Sequence, residues 1–243
     1  KDKTLKLLET YNVDKSIIDI IVEDQDMKEE YLKELGTDYN IIVSNTNGIK
    51  EKRNYIRNYY QLETNVINLL CLDDDLKNIM DYDIPLTGER FVEIVNLGFD
   101  ECVKVGAYMW GVSPFNNKFF LQKKVSTNLK YICGAFVGLI INRDLPPLQT
   151  SIDHAEDFEF SCEHFVRDNA VVRLNWIALV TKYLNPNGGI TEWYGGKEGR
   201  REAQEKNSKW LQEKYGSKMV RLIVKKWGYD VRLNGYYKNP VKE

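Results

Sequence analysis

The chain of 243 residues holds only two histidines and four cysteines, and the cysteines (Cys71, Cys102, Cys133 and Cys162) lie far apart among apolar neighbours. With no Cys-x-x-Cys pair and no Cys/His cluster, neither a zinc site nor a disulfide framework is expected. The four thiols read instead as reduced core residues of a cytoplasmic protein. The six prolines do not gather into a hinge, and no repeat or low-complexity linker breaks the chain. One continuous domain over 1–243 is therefore expected. No apolar run approaches the roughly 18 residues that cross a bilayer, and nothing resembles a secretory leader, so no membrane partner is expected. The chain begins at Lys1 rather than Met, consistent with a native N-terminus absent from the sequence. A strong excess of one charge is also lacking: a net charge of −2 argues against a generally basic coat for nucleic acid.

The charge that is present is unevenly spread. From Lys197 to the end there are 13 Lys/Arg against 6 Asp/Glu, a surplus of +7 that leaves −9 on residues 1–196. A basic tail on an acidic body suits a phosphate-bearing partner, although a solvated helix and strand would carry the same charges. Short β-branched runs alternate with amphipathic segments, the pattern of an α/β layer fold. "SIIDIIVED", "YNIIVSN", "NVINLLCLD" and "YICGAFVGLIIN" read as strands, and "GIKEKRNYIRNYYQLE" as a helix. Helical spacing also marks 91–105, 157–167 and 200–215, the last stopped by Gly216. Strands apolar on both faces call for helices on both sides of the sheet. Ligands of such sheets bind beyond the carboxyl ends of the strands.

Asp73, Asp74 and Asp75 occupy that kind of position, directly behind Leu72. A polar turn is the bland explanation for them. A hard divalent cation, Mg or Mn, is the sharper one, since it prefers carboxylate oxygens and often shares its sphere with substrate phosphates. If the segment stays extended, Asp73 and Asp75 point the same way and Asp74 faces away. One of the pair could then ligate the ion while the other holds a ribose or a metal-bound water. Further along, "DHAEDFEFSCEHF" opens a helix with Glu156 and Asp157. A helix N-terminus favours ionised carboxylate, so either could serve as a base; plain helix capping is the alternative. Asp153 is a third candidate.

The segment "NPNGGITEWYGGKEGRR" carries Gly188, Gly189, Gly195, Gly196 and Gly199, which permit large backbone changes and suggest a lid. Lys197, Arg200 and Arg201 could neutralise a diphosphate or grip an acceptor. Trp193 and Tyr194 could stack on a sugar or an extruded base, or simply anchor the loop. Gly134 and Gly138 within an apolar strand suggest a bulge or a close approach. Trp110 and Phe115 sit near a turn and could face an acceptor. His154, beside the acidic pair, is a possible supporting group, and His164 reads as structural.

The order of Asn47 and Gly48, a helix bearing Arg53 and Asn54, then a strand ending Leu72-Asp73-Asp74-Asp75, resembles the nucleotide-sugar core of family 2-like glycosyltransferases of the A fold. More narrowly, "NTNGIKEKRNYI", "CLDDDLKNI", "EDFEF", "LNPNGGI" and "KWLQEKYG" look like the TET/JBP-associated glycosyltransferases, phage and eukaryotic relatives thought to act on hydroxymethylpyrimidines in DNA. The resemblance spans roughly residues 4–235. It implies a single-domain A-type fold with a mixed, mostly parallel sheet and helices on both faces. Residues 1–80 would form the nucleotide-sugar half, 81–190 the acceptor half, and 191–243 the lid and basic segment. Asp73 and Asp75 would hold Mn or Mg. Asn47, Gly48, Arg53, Asp73, Asp74, Lys197 and Arg200 would bind the donor, a UDP-sugar or similar. Trp193, Tyr194 and Arg201 would meet the acceptor, modified double-stranded DNA. Asp157 or Glu156 would act as base, which predicts inversion, although retaining A-fold enzymes exist. The location implied is cytoplasmic, in the host cytoplasm if phage-encoded. A glycan, lipid or protein acceptor, a nucleotidyltransferase, and a non-catalytic nucleotide- or DNA-binding module are the alternatives. The A-type fold normally opens with a strand that touches the nucleotide base, whereas Lys1 to Glu9 read as the helix after it. That strand is expected to be missing from the sequence or supplied differently, which bears on donor binding.

Overall fold

Alternation with period two puts successive side chains of a strand on opposite faces, and a central sheet built this way needs cover on both sides. The computed structural model describes residues 3–181, 190–225 and 228–239. Its main sheet has seven strands. β3 (Asn68–Leu72), β8 (Phe136–Ile140), β6 (Met109–Ser113), β9 (Val172–Val180), β4 (Asn78–Asp81) and β5 (Ile84–Pro85) lie side by side in that order, and β7 (Val125–Ser126) also pairs with β9. Met109 and Val137 face one layer while their chain neighbours Trp110 and Phe136 face the other.

The first layer is α1 (Lys3–Thr10) with α4 (Gly88–Val105), which bring Leu7, Leu8, Phe91, Ile94, Phe99 and Cys102 onto the sheet. The sequence accounts for α4 well. Thr87 caps it by accepting from the Arg90 N–H (3.3 Å), its apolar residues recur at helical spacing, and Gly106 ends it in the left-handed region (φ 69°). On the opposite face lie α3 (Ile49–Leu62), α5 (Glu156–Asp168) and, after the short α6 (Ile190–Trp193), α7 (Lys197–Tyr215), the last backed by the hairpin β10 (Val220–Lys225) and β11 (Gly228–Leu233). Helices on both faces are therefore present, and the architecture is a mixed α/β layer fold.

The expectation of a mostly parallel sheet is not met. In the main sheet only β6 and β9 run parallel; β3–β8, β8–β6, β9–β4, β4–β5 and β7–β9 are antiparallel. An apolar run signals burial on both faces but carries no information on direction, which the long returns between β6, β8 and β9 decide here. A second parallel pair stands apart as its own ladder: β1 (Asp19–Val22) with β2 (Asn40–Val43), flanked by α2 (Gln25–Leu35). α1 is indeed the first described element, and Thr4 ties it to the end of β3. Its N–H reaches the Asp74 carbonyl (3.2 Å), and its hydroxyl accepts from the Leu76 N–H (3.0 Å) while donating to the Asp73 carbonyl. Between β1 and β3 opens a cavity of about 1650 Å³, lined by every residue of both strands.

The four cysteines are unpaired thiols; Cys102, Cys133 and Cys162 are buried. No described helix is long and apolar enough to cross a membrane. Gly138 and Gly98 serve packing. A Cβ at either would collide with the indole of Trp110, which is fully buried, so Trp110 is a core residue and does not line an acceptor surface.

Candidate functional site

Two elements deliver carboxylates to the guanidinium of a third. Asp73 directly follows β3, α5 begins with Glu156 and Asp157, and α3 presents Arg53 from its second turn. The Arg53 Nη2 donates to Asp73 Oδ1 at 3.2 Å, and its Nη1 donates to Glu156 Oε1. This close approach is possible because position 134 is glycine: a Cβ there would overlap the Arg53 guanidinium. The close approach read from Gly134 in the sequence is thus made by a side chain of the site itself.

Helix capping explains only part of the acidic pair: Asp157 Oδ1 accepts from the Phe158 N–H of the first turn at 3.0 Å, whereas Glu156 makes no such contact among the described residues. The residue before α5 is Ala155 in the left-handed region (φ 64°), a costly conformation for a residue with a Cβ. Glu156 turns to Arg53. Asp157 accepts from the Tyr131 hydroxyl and, at 3.4 Å, from the Gly134 N–H. Both line the large cavity. Burial, opposed by Arg53 and helped by Asp157 and Asp73, raises the Glu156 carboxyl to about 7. Arg53 itself is held above its ordinary value by these carboxylates, against the effect of burial. Arg53 is thus shared between Asp73 and Glu156, with Asp157 close by.

The aspartate triplet does not stay extended. The chain turns at Asp74 and Asp75, so strand alternation no longer applies. Asp73 faces Arg53, whereas Asp75 accepts from the Thr181 hydroxyl at 2.9 Å, beyond the end of β9. Asp74 is the residue whose carboxyl burial and its two neighbours drive upward. All three line the cavity. Among the described residues no three His, Cys, Asp or Glu side chains form a ready cation cage.

Asn47, Gly48, Trp193, Tyr194 and Arg200 line the same cavity. Gly48 precedes α3 with φ 90°, a conformation that favours glycine, and the Trp193 ring lies 3.6 Å from where a Cβ would stand. Tyr194 meets the His154 ring edge-on, with centroids 5.8 Å apart. His154 is buried, its Nδ1 has no hydrogen-bond partner among the described residues, and burial lowers its pKa. Asp153 is paired with Lys50 at 3.2 Å. His164 is structural: it is buried against Asp168 (2.9 Å), and burial drives its pKa down to about 4.

Lys197 and Arg201 are absent from the cavity wall. They belong to the first turns of the 19-residue α7 rather than to a glycine-rich loop, and a helix face carries only some of its residues toward one site. Of the segment read as a lid, Gly188 and Gly189 lie outside the described residues. Reading the sequence also missed Tyr131, which steadies Asp157. It assigned no role to Asn54, whose amide clamps residue 150 through Thr150 O and Thr150 N, both at 3.0 Å. Only the "RN" pair signalled Asn54, and nothing local signalled Tyr131. No family model, curated protein or solved structure matches the chain.

Proposed function

We propose that the protein transfers a sugar from a nucleoside diphosphate to a hydroxyl acceptor, with hydroxymethylpyrimidine in DNA as the acceptor. The observation that carries this reading is the carboxylate cluster of Asp73, Glu156 and Asp157 about Arg53, set in the wall of a cavity of about 1650 Å³. Carboxylate oxygens gathered there suit a hard cationic guest. Mg or Mn is commonly bound through one or two carboxylates and completed by substrate phosphates. Of the triplet, Asp73 faces this cluster and would hold such an ion, which when bound would supply neutralisation of the leaving diphosphate, whereas Asp75 turns to Thr181.

The chain's own groups divide the remaining work. Asn47 and Gly48 offer a backbone that a donor can approach closely, next to the Trp193 ring. Arg200 adds positive charge to the wall. Asp157 is the better base of the two acids: Glu156 is tied to Arg53 as an ion pair, whereas Asp157 accepts from neutral donors, Tyr131, Gly134 and Phe158. It takes the proton as the acceptor oxygen attacks the anomeric carbon and the diphosphate leaves with the bonding electrons. A single base on the acceptor side predicts inversion.

The test is incubation with Mn and a panel of nucleotide sugars, with and without DNA containing hydroxymethylpyrimidine, followed by mass spectrometry of the nucleosides. A hexose or pentose added to the modified base is the expected result. Donor hydrolysis without DNA modification would redirect the reading to a glycan acceptor. Release of pyrophosphate would identify a nucleotidyltransferase.

A further inference from the structure

From Cys102 to Arg143 the sequence contains no Asp or Glu, yet it carries six Lys/Arg. The structure gathers part of this stretch into one place. β7 lays residues 125 and 126 against Leu174 and Arg173 of β9. Lys124, just before β7, and Lys130, just after it, therefore flank Arg173. Burial and the repulsion of Arg173 and Lys124 lower the Lys130 pKa, and no acid acts on it in return. The Arg173 guanidinium is satisfied by neutral oxygens, Asn175 Oδ1 at 2.7 Å and the Tyr131 carbonyl at 3.3 Å. Among the described residues none of these three cations makes an ion pair. Crowding like charges without a counter-charge costs stability unless an anion is supplied from outside.

Two further observations specify that anion. The loop leading to Lys124 exposes Phe119 (94%) and Phe120 (74%), flat apolar rings that pack on nothing substantial. The cluster also continues as a track. Gly235, two residues past β11, lies against Asn128 and Lys130. On the adjoining hairpin Arg221 and Arg232 stand directly opposite one another, both exposed. A run of cations beside exposed aromatic rings fits a polymer with regularly spaced phosphates and stackable faces. The track reaches the candidate site through one residue: Tyr131 meets Arg173 by its carbonyl and Asp157 by its hydroxyl.

We infer that this face, Lys124, Lys130 and Arg173 with Phe119 and Phe120, binds the phosphodiester backbone and unpaired bases of a nucleic-acid acceptor and leads it toward Asp157. The inference rests on the sugar-transfer reading for the direction of the track, but not for its chemistry. It differs from the basic C-terminal segment as the sole nucleic-acid contact, because its centre lies between β7 and β9.

The test is fluorescence anisotropy of a labelled single-stranded oligonucleotide and of its duplex, over a salt series, without donor or metal. Lys124→Ala with Lys130→Ala should weaken binding roughly tenfold and lower the steepness of log K against log salt by about 2, one per phosphate contact. Phe119→Ala with Phe120→Ala should weaken single-strand binding roughly tenfold and leave the salt slope unchanged, since stacking is uncharged. Thermal melting of each variant checks the fold. Unchanged affinity in both variants overturns the inference. So does wild-type protein that ignores the oligonucleotide but sediments with phosphatidylserine vesicles, which would make the surface a lipid contact. Because no turnover is read, failure here leaves sugar transfer standing, and failure of sugar transfer leaves this binding result intact.

Discussion

β6 and β1 have similar apolar content, Met109–Ser113 against Asp19–Val22, but every residue of β6 is buried and of β1 only Val22 is. β6 has ladder partners on both sides and a helical layer above and below. β1 pairs only with β2, and α2 beside it contributes no buried residue. β3 is intermediate: paired to β8 on one edge, open to the cavity on the other, with no residue fully buried. The candidate site lies on this boundary. α5 holds Glu156 and Asp157 in the well-packed part, whereas Asn47, Gly48 and the aspartate triplet border the loosely packed part. Rigid groups on one side and yielding ones on the other suit a site that must fix a base and admit a large charged donor.

The largest effect is expected where packing is densest. Trp110 is fully buried and meets Phe99 and Phe136 edge-on at 5.5 and 5.3 Å. Trp110→Ala should cost about 3–5 kcal/mol in urea unfolding, from lost transfer energy and the cavity left behind. A loss under about 1 kcal/mol would erase the distinction between the two regions. Next comes the boundary itself. Gly134→Ala places a methyl group where the Arg53 guanidinium sits, so Arg53 must release Asp73 and Glu156. Sugar transfer should fall about 100-fold or more, as when a charge-stabilising donor is lost, with much less change in melting. Equal turnover would remove Arg53 from the site.

The loosely packed side should respond weakly. Ile20 is only half-buried and lines the cavity. Ile20→Ala should cost about 1 kcal/mol, well below a fully buried isoleucine such as Ile79. Hydrogen exchange should likewise be fast for β1 amides on the cavity edge and slow for β6. Protection of β1 equal to that of β6 would mean that an extended segment fills the space between β1 and β3 in solution.

Much of this was legible beforehand. Helices α3, α4 and α5 fall within three residues of their expected bounds at either end, because caps and apolar spacing are local signals. Gly134 was legible as a close approach but not as the seat of Arg53, since its partner is 81 positions away in sequence. β9, the strand that joins β6, β7 and β4, drew no expectation, although "VVRLNWIALV" is apolar at every position except Arg173 and Asn175. Sheet order, strand direction and the split between β1 and β3 depend on which distant segments meet, and periodicity does not encode that. The acid-free stretch from Cys102 to Arg143 was visible in the sequence. Only the fold shows that Lys124, Lys130 and Arg173 converge.

The smallest effect sharpens the boundary through pH. The ordinary carboxyl value for Glu156 is 4.5, and burial in the folded protein raises it to about 7. Between these values the folded protein keeps the proton that the unfolded chain has released. Folding stability from this group is therefore fully present below about 4.5, declines as pH rises, and is lost above about 7. Glu156→Gln removes the titration while leaving an amide to face Arg53. The difference in melting temperature, wild type minus variant, should fall from pH 4.5 to 7 and stay flat on either side. His154, whose pKa burial lowers, has the opposite slope around its ordinary 6.5, and Asp74 has the same sign as Glu156; both contributions cancel in the difference. A difference that rises with pH would mean that Arg53 outweighs burial and keeps Glu156 ionised. In that case the packed side of the boundary already holds a closed ion pair.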